Sequence, residues 1–229
     1  MSSPPGGKKK IVLRIGGSVL GSPPQAKLLK GYAEVISEAK ALGHSIGVVV
    51  GGGPVSRAYI ATAKELGLPR EAQDMIAIDA SRLNAKLVAM KIGVKRVSTT
   101  IQGMMLELEK NGIGVMGGLR PGITTDTVAV ILGDAWHSDI LVKASDQDGV
   151  YTADPRIDKE AKLLHSLSYQ ELVKILGGAQ HRPGIHSIVD PVAVKFIAKH
   201  KLTLVVTNGF LPSNVRKALL GERTGTLVS

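Results

Sequence analysis

Eight residues in the middle of the chain, Asp148-Gly149-Val150-Tyr151-Thr152-Ala153-Asp154-Pro155, gather two carboxylates, a phenol and a turn-forming proline just after the apolar run Ile140-Leu141-Val142. A loop at a strand end can offer such groups to a bound nucleotide, because these loops carry the chemistry of open α/β sheets. Asp-Gly and Asp-Pro are equally at home in a plain surface turn. Glycine loops upstream shift the balance: Gly16-Gly17-Ser18, Gly51-Gly52-Gly53, and Gly117-Gly118-Leu119-Arg120-Pro121-Gly122. Glycine lets backbone N–H groups approach an anion, and a following helix N-terminus adds a favourable dipole. None of the three is a Walker A loop or a spaced Rossmann fingerprint. Their recurrence at strand ends sets several anion cradles along one sheet edge, a geometry suited to gripping two phosphate-bearing substrates.

The elements that must position these loops alternate strand-like and helical patterns, which argues for a mostly parallel sheet flanked by helices. Strands are expected at 11–15, 45–50, 113–116, 140–144 and 203–207, with shorter ones near Val97 and at Leu163-Leu164. The run 45–50 is continuously apolar, as in a strand buried on both faces. Helices are expected at 25–42, 55–66, 72–92, 101–110, 124–132, 169–176, 192–200 and 214–220. In the first of these, Leu28, Leu29, Tyr32, Val35, Ile36 and Ala39 form one apolar face, a possible dimer surface. Pro54 sits near the first turn of the second. No linker divides the chain. We expect a basic N-terminal arm over 1–10 and a single domain over 11–229. The segment 179–187, with two histidines and a proline, reads equally as a lid or a loop.

Composition narrows the class. The 229 residues are 44% hydrophobic and 21% charged, typical of a globular protein with a mostly aliphatic core. Cysteine is absent, which removes disulfide and thiolate chemistry and fits a reducing compartment. No apolar run approaches the roughly 20 residues of a membrane helix, and the N-terminus lacks a secretory h-region. Cytoplasm is the default expectation, with no membrane partner. A net charge of +10 attracts anionic substrates. Specific nucleic-acid binding is not expected, because the lysines are dispersed and aromatics are few.

The motifs Ile15-Gly16-Gly17-Ser18, Gly51-Gly52-Gly53-Pro54-Val55-Ser56-Arg57, Thr124-Thr125-Asp126-Thr127 and Asp148 to Pro155 resemble those of the amino acid kinase family. Within it, the Gly-Gly-Gly-x-x-x-Arg and Thr-Thr-Asp segments look like UMP kinases of the archaeal type. That resemblance implies a three-layer α/β/α sandwich with a mostly parallel central sheet. It also implies transfer of a phosphoryl group from Mg²⁺-bound ATP to UMP, in a homo-oligomer built as a hexamer, a trimer of dimers. The half over about 11–140 would take UMP and that over about 141–229 would take ATP.

By the same resemblance Gly52, Arg57, Asp74, Leu119, Arg120, Pro121, Gly122, Ile123, Thr124 and Thr125 would hold UMP. Gly17, Ser18, Gly53, Arg57, Ser145, Asp146, Tyr151 and Asp154 would hold ATP, with no protein metal ligands assigned. Arg57 can fork onto a phosphate; equally it is a solvated helix arginine. Asp74 can accept from ribose hydroxyls or simply favour a helix N-terminus. At Thr124 and Thr125, helix capping and nucleotide binding compete for the same oxygens. Tyr151 is expected against adenine, or else in the core.

A UMP phosphate is already ionised at neutral pH, since its second pKa lies near 6, so the acceptor needs no general base. The task is to bring two polyanions together and stabilise charge on the group in flight. Arg14 and Lys143, each at the end of an apolar strand, are the expected cations, and Asp148 is expected to orient them. Arg14 stands where many relatives have lysine, and Asp146 where the archaeal pattern often has asparagine. Two other readings stay open on the same fold. One is an isopentenyl phosphate kinase, which would be expected to place a histidine near the second glycine loop. The other is a non-enzymatic, nucleotide-binding molybdate or tungstate storage protein.

Overall fold

Strands that are apolar on both faces need cover on both, and the chain supplies it with a helix layer on each side of one sheet. The computed structural model describes residues 7–177 and 188–229. Most of the expected basic arm and all of 179–187 lie outside the described residues. The strands are β1 (Lys10–Ile15), β2 (Ser45–Val50), β3 (Ile113–Met116), β4 (Ile140–Ser145), β5 (Ser166–Leu167), β6 (Leu204–Asn208) and β7 (Thr226–Val228). They pair in the order β3-β2-β1-β4-β6-β7-β5, all parallel except for the antiparallel β6–β7 contact. The described helices are α1 (Gly17–Leu20), α2 (Ala26–Ala41), α3 (Gly53–Glu65), α4 (Arg70–Lys91), α5 (Ile101–Asn111), α6 (Thr125–Ala135), α7 (Tyr169–Leu172), α8 (Pro191–His200) and α9 (Pro212–Leu220).

Alternation along β1 divides the core. Ile11, Leu13 and Ile15 face α2, α4 and α9, where Tyr32, Ile36, Val88 and Leu219 are buried. Val12 faces the other layer, where Met104, Val128, Leu132 and Ile197 of α5, α6 and α8 are buried. The apolar stripe of α2 is therefore consumed inside the molecule. The possible dimer surface assigned to it is corrected: Leu28, Leu29, Tyr32, Val35, Ile36 and Ala39 are core residues. No described helix is long and apolar enough to cross a membrane.

Short elements depart from expectation. The strand near Val97 reduces to one bridge, Ser98 to Met116. That at Leu163 is a single bridge to Tyr151, the pairing strand forming instead at β5. The helix expected over 169–176 is α-helical only through Leu172 and continues as a π turn, Val173–Gly177. The sequence reading did not foresee α1 or β7. The second is only three residues long and is defined by its position between β6 and β5.

Candidate active site

Beyond Val12 on β1, the next residue on the same face is Arg14; on β4, Lys143 follows Leu141 on that face. Parallel pairing of the two strands places Arg14 directly beside Lys143. Two cations so placed repel, and α6 supplies the counter-charge from its first turn. The Oδ1 atom of Asp126 lies 2.7 Å from Nε of Arg14 and 2.5 Å from Nζ of Lys143. The lysine donates a hydrogen bond there, whereas Nε of Arg14 makes a charge contact without hydrogen-bond alignment. Nη2 of Arg14 donates to Oγ1 of Thr125 at 3.0 Å.

Electrostatics follow from burial. Desolvation opposes ionisation of Asp126, but Arg14, Lys143 and the hydrogen bonds from Lys143 and the Asp190 amide outweigh it. The carboxyl is held below the usual carboxylate range. Burial, then the Arg14 guanidinium, push Lys143 down to about 8 against the pull of Asp126. One carboxylate serving two cations leaves about one positive charge on the cleft floor at neutral pH.

Above this floor the glycine loops meet. The cleft holds about 600 Å³ and is lined by Gly16 to Ser18, Gly51 to Gly53, Arg57, Thr125, Ser145 and Arg156, among others. A Cβ added at Gly17 would come 2.1 Å from the Gly53 nitrogen, and one at Gly53 would come 2.2 Å from the Gly17 carbonyl. The loops thus pack main chain on main chain, and Gly53 also requires φ +61°. The N-terminus of α3 opens on the cleft beside them. Arg57, one turn on, reaches over Ser18 with contacts of 3.4 and 3.5 Å.

At α6 the competition between capping and binding is resolved for one hydroxyl. Oγ1 of Thr124 accepts from the amides of Asp126 and Thr127 and donates to Asp190. Asp190 in turn caps α8 through the amides of Val192 and Ala193, and its own N–H reaches Oδ2 of Asp126 at 3.3 Å.

A second cavity of about 160 Å³ adjoins the first through Gly52, Ser56, Thr124 and Thr125 and extends to Asp74, Gly118, Arg120 and Ile123. Helix α4 shapes it. Oδ2 of Asp74 accepts from the Gly122 amide at 2.9 Å, and Oγ of Ser81 accepts from the Gly118 amide at 2.6 Å. Arg82 donates to the carbonyls of Gly118 and Leu119. Leu119, partly buried, packs against the core, and Pro121 and Gly122 form a turn held by Asp74 through the Gly122 amide.

The loop after β4 departs from the sequence reading. Asp148 does not orient Arg14 and Lys143; its carboxylate accepts from Asn208 at 2.8 Å and from the Tyr151 hydroxyl at 3.1 Å. The physical reason is reach: Asp148 follows β4 by three residues, whereas α6 delivers Asp126 directly over both cations. Asp154 holds Nε and Nη2 of Arg156 at 3.0 and 2.9 Å. Arg156, which the sequence reading passed over, is the one of the pair on the cleft wall, near Ser145, Asp146 and Gln147. Tyr151, partly exposed, and Asp154, its side chain 5% exposed, are not among the described residues lining the cleft.

The model of the amino acid kinase family matches residues 9–208. The chain is 37% identical to the uridylate kinase of Hyperthermus butylicus over 225 residues, covering 97% of this chain and 99% of that protein. It is 38% identical to the uridylate kinase of Methanococcus vannielii over 223 residues, covering 95% and 98%. The crystal structure of the uridylate kinase from Archaeoglobus fulgidus matches with a TM-score of 0.87 at 37% identity, covering 96% of this chain and all of that one. The UMP kinase from Bacillus anthracis matches with a TM-score of 0.81 at 26% identity, covering 96% of each.

Proposed function

The chain belongs to the amino acid kinase family, and we propose that within it the protein transfers the γ-phosphoryl group of ATP to UMP, releasing ADP and UDP. The observation that carries this reading is the Arg14–Asp126–Lys143 centre on the floor of the larger cavity, with Thr125, which Arg14 holds, on the wall shared with the smaller one. The smaller cavity, shaped by α4, suits the UMP nucleoside, with Asp74 and the 119–125 segment beside it. The larger cleft suits the triphosphate, with Gly17, Ser18, Gly53, Ser145, Asp146 and Arg156 along it. Asp154 acts by holding Arg156, and Tyr151 is tied through its hydroxyl to Asp148.

UMP arrives ionised, so an oxygen of its phosphate attacks the γ-phosphorus without losing a proton to the protein. As the bond to the ADP oxygen lengthens, Arg14 and Lys143 face the charge on the transferring group. Their positions are fixed in advance by Asp126, so little reorganisation is needed at the moment of reaction. Backbone amides of the packed glycine loops and the dipole of α3 add donors for the flanking phosphates. Mg²⁺ enters as part of the Mg-ATP substrate. Among the described residues no three His, Cys, Asp or Glu side chains cluster as a protein cage for it.

The isopentenyl phosphate reading is disfavoured by relatives that are uridylate kinases, and no histidine is among the described residues that line the smaller cavity. The storage reading is disfavoured by relatives that are uridylate kinases. We further propose a cytoplasmic homo-oligomer, a hexamer of three dimers, meeting through the exposed Leu83, Leu87 and Met90 of α4. A coupled ADP-release assay with Mg-ATP tests the activity, with UMP, CMP, dTMP and isopentenyl phosphate offered separately. Strong preference for UMP is expected; no turnover with any acceptor would overturn the assignment.

A further inference from the structure

Helix α4 touches the phosphate loop as well as the nucleoside cavity, through one buried side chain. Asn84 is 3% exposed, and its Nδ2 donates to the Gly51 carbonyl at 2.9 Å and the Gly52 carbonyl at 3.1 Å. Both partners are acceptors, so the amide orientation follows from chemistry: only the NH₂ end satisfies them. The Gly52 carbonyl also accepts from the Ser56 amide at 3.3 Å.

A trans peptide points its C=O and N–H in opposite directions. With the Gly51 and Gly52 carbonyls turned toward Asn84, the N–H groups of Gly52 and Gly53 are turned away from α4. The cleft lies on that side, lined by Gly51, Gly52 and Gly53. A glycine-rich segment can rotate its peptide planes at little cost. Rotation here would aim carbonyl oxygens at the phosphates and replace attraction by repulsion. The loop also sits on the catalytic floor: a Cβ at Gly51 would lie 3.3 Å from Nη2 of Arg14 and 3.4 Å from Oγ1 of Thr125.

We infer that Asn84 is a positioning residue for phosphoryl transfer, acting through the peptide planes of Gly51-Gly52-Gly53 without touching either nucleotide. It stands on the same helix as Asp74, Ser81 and Arg82, which hold the 118–122 segment. One rigid element thereby fixes the distance between the nucleoside cavity and the amides that meet the phosphates.

The inference rests on the UMP kinase reading only for the choice of substrates. Its test compares Asn84→Ala and Asn84→Asp with Val88→Ala, a core substitution one turn along α4 at a residue 1% exposed, using Mg-ATP and UMP. Loss of a preorganised donor array predicts a fall in kcat of about 100-fold for both Asn84 variants. KM for each substrate should change less than about fivefold. Val88→Ala should keep kcat within about twofold while lowering Tm. Asn84→Asp matches the side chain's volume but offers only acceptors to two carbonyls, so both Asn84 variants are assayed at temperatures where circular dichroism shows the native fold. The inference is overturned if Asn84→Asp, folded by circular dichroism, keeps kcat within threefold of wild type, or if Val88→Ala loses as much. If the wild type prefers another phosphorylated acceptor, the same ratios are read with that acceptor, so the two assignments fail separately.

Discussion

Two groups of carboxylates gather near the same edge of the sheet. Asp126 is largely buried at the cleft floor and holds two largely buried cations. Asp148 and Asp154 sit in the turn-rich loop after β4 and hold neighbours from their own side: Asn208, Tyr151 and Arg156. Their chemistry is the same, but their settings differ. In a desolvated place a carboxylate is tolerated only with partners, and those partners then depend on it. At exposed Asp148, in a loop near water, a hydrogen bond of the same geometry contributes much less; the Asp154 side chain, only 5% exposed, stands between the two settings. Density of acidic residues in the sequence marks the second setting, whereas topology marks the first.

The contrast is sharpest if Asp126 is replaced. Asp126→Ala leaves Arg14 and Lys143 facing each other without their shared carboxylate, which should cost about 3–5 kcal/mol of stability. Turnover should fall to background, read by denaturant unfolding alongside kcat. Removing one cation is the next largest step: Arg14→Ala or Lys143→Met should each lower kcat by about 10²–10³-fold. An unchanged kcat for either would take that residue out of the mechanism.

A pH titration separates charge from structure. The folded pKa of Lys143 lies at about 8, below the ordinary 10.5. Its positive charge is present below about 8 and lost above, so kcat/KM should decline as pH rises through that value. Between about 8 and 10.5 the unfolded chain keeps a proton that the folded lysine has released. Unfolding then takes up a proton, and the contribution of Lys143 to stability grows with pH over that window. Activity falling while this part of stability rises would be the signature; parallel loss of both would contradict it. The smallest effect belongs to the loop. Asp148→Asn should lower kcat less than about tenfold, because the Asn208 and Tyr151 contacts contribute only ~1 kcal/mol each. A loss matching that of Asp126→Ala would erase the distinction drawn above.

The contrast also explains what was legible in the sequence. The five longer strands, the glycine loops and Arg14 with Lys143 announce themselves, because buried parallel strands read as unbroken apolar runs in which a cation is conspicuous. Asp126 lay inside a quoted motif, yet its partners are 112 and 17 positions away, and only the β1–β4 register unites them. Asn84, Ser81 and Arg82 look like ordinary helix polar residues until the glycine loops are packed against α4. Asp148 was misread for the converse reason: its strand-end position is local, and its partner Asn208 comes from β6.

The main-chain contact between Gly17 and Gly53 constrains how this sequence can drift. When a new side chain collides with another side chain, trimming the neighbour can relieve it. Here each Cβ would strike the other loop's backbone, and no substitution shortens a backbone. The two positions are therefore closed to compensated exchange. Variation in acceptor preference must enter through side chains around the smaller cavity, leaving the seam between the loops unaltered.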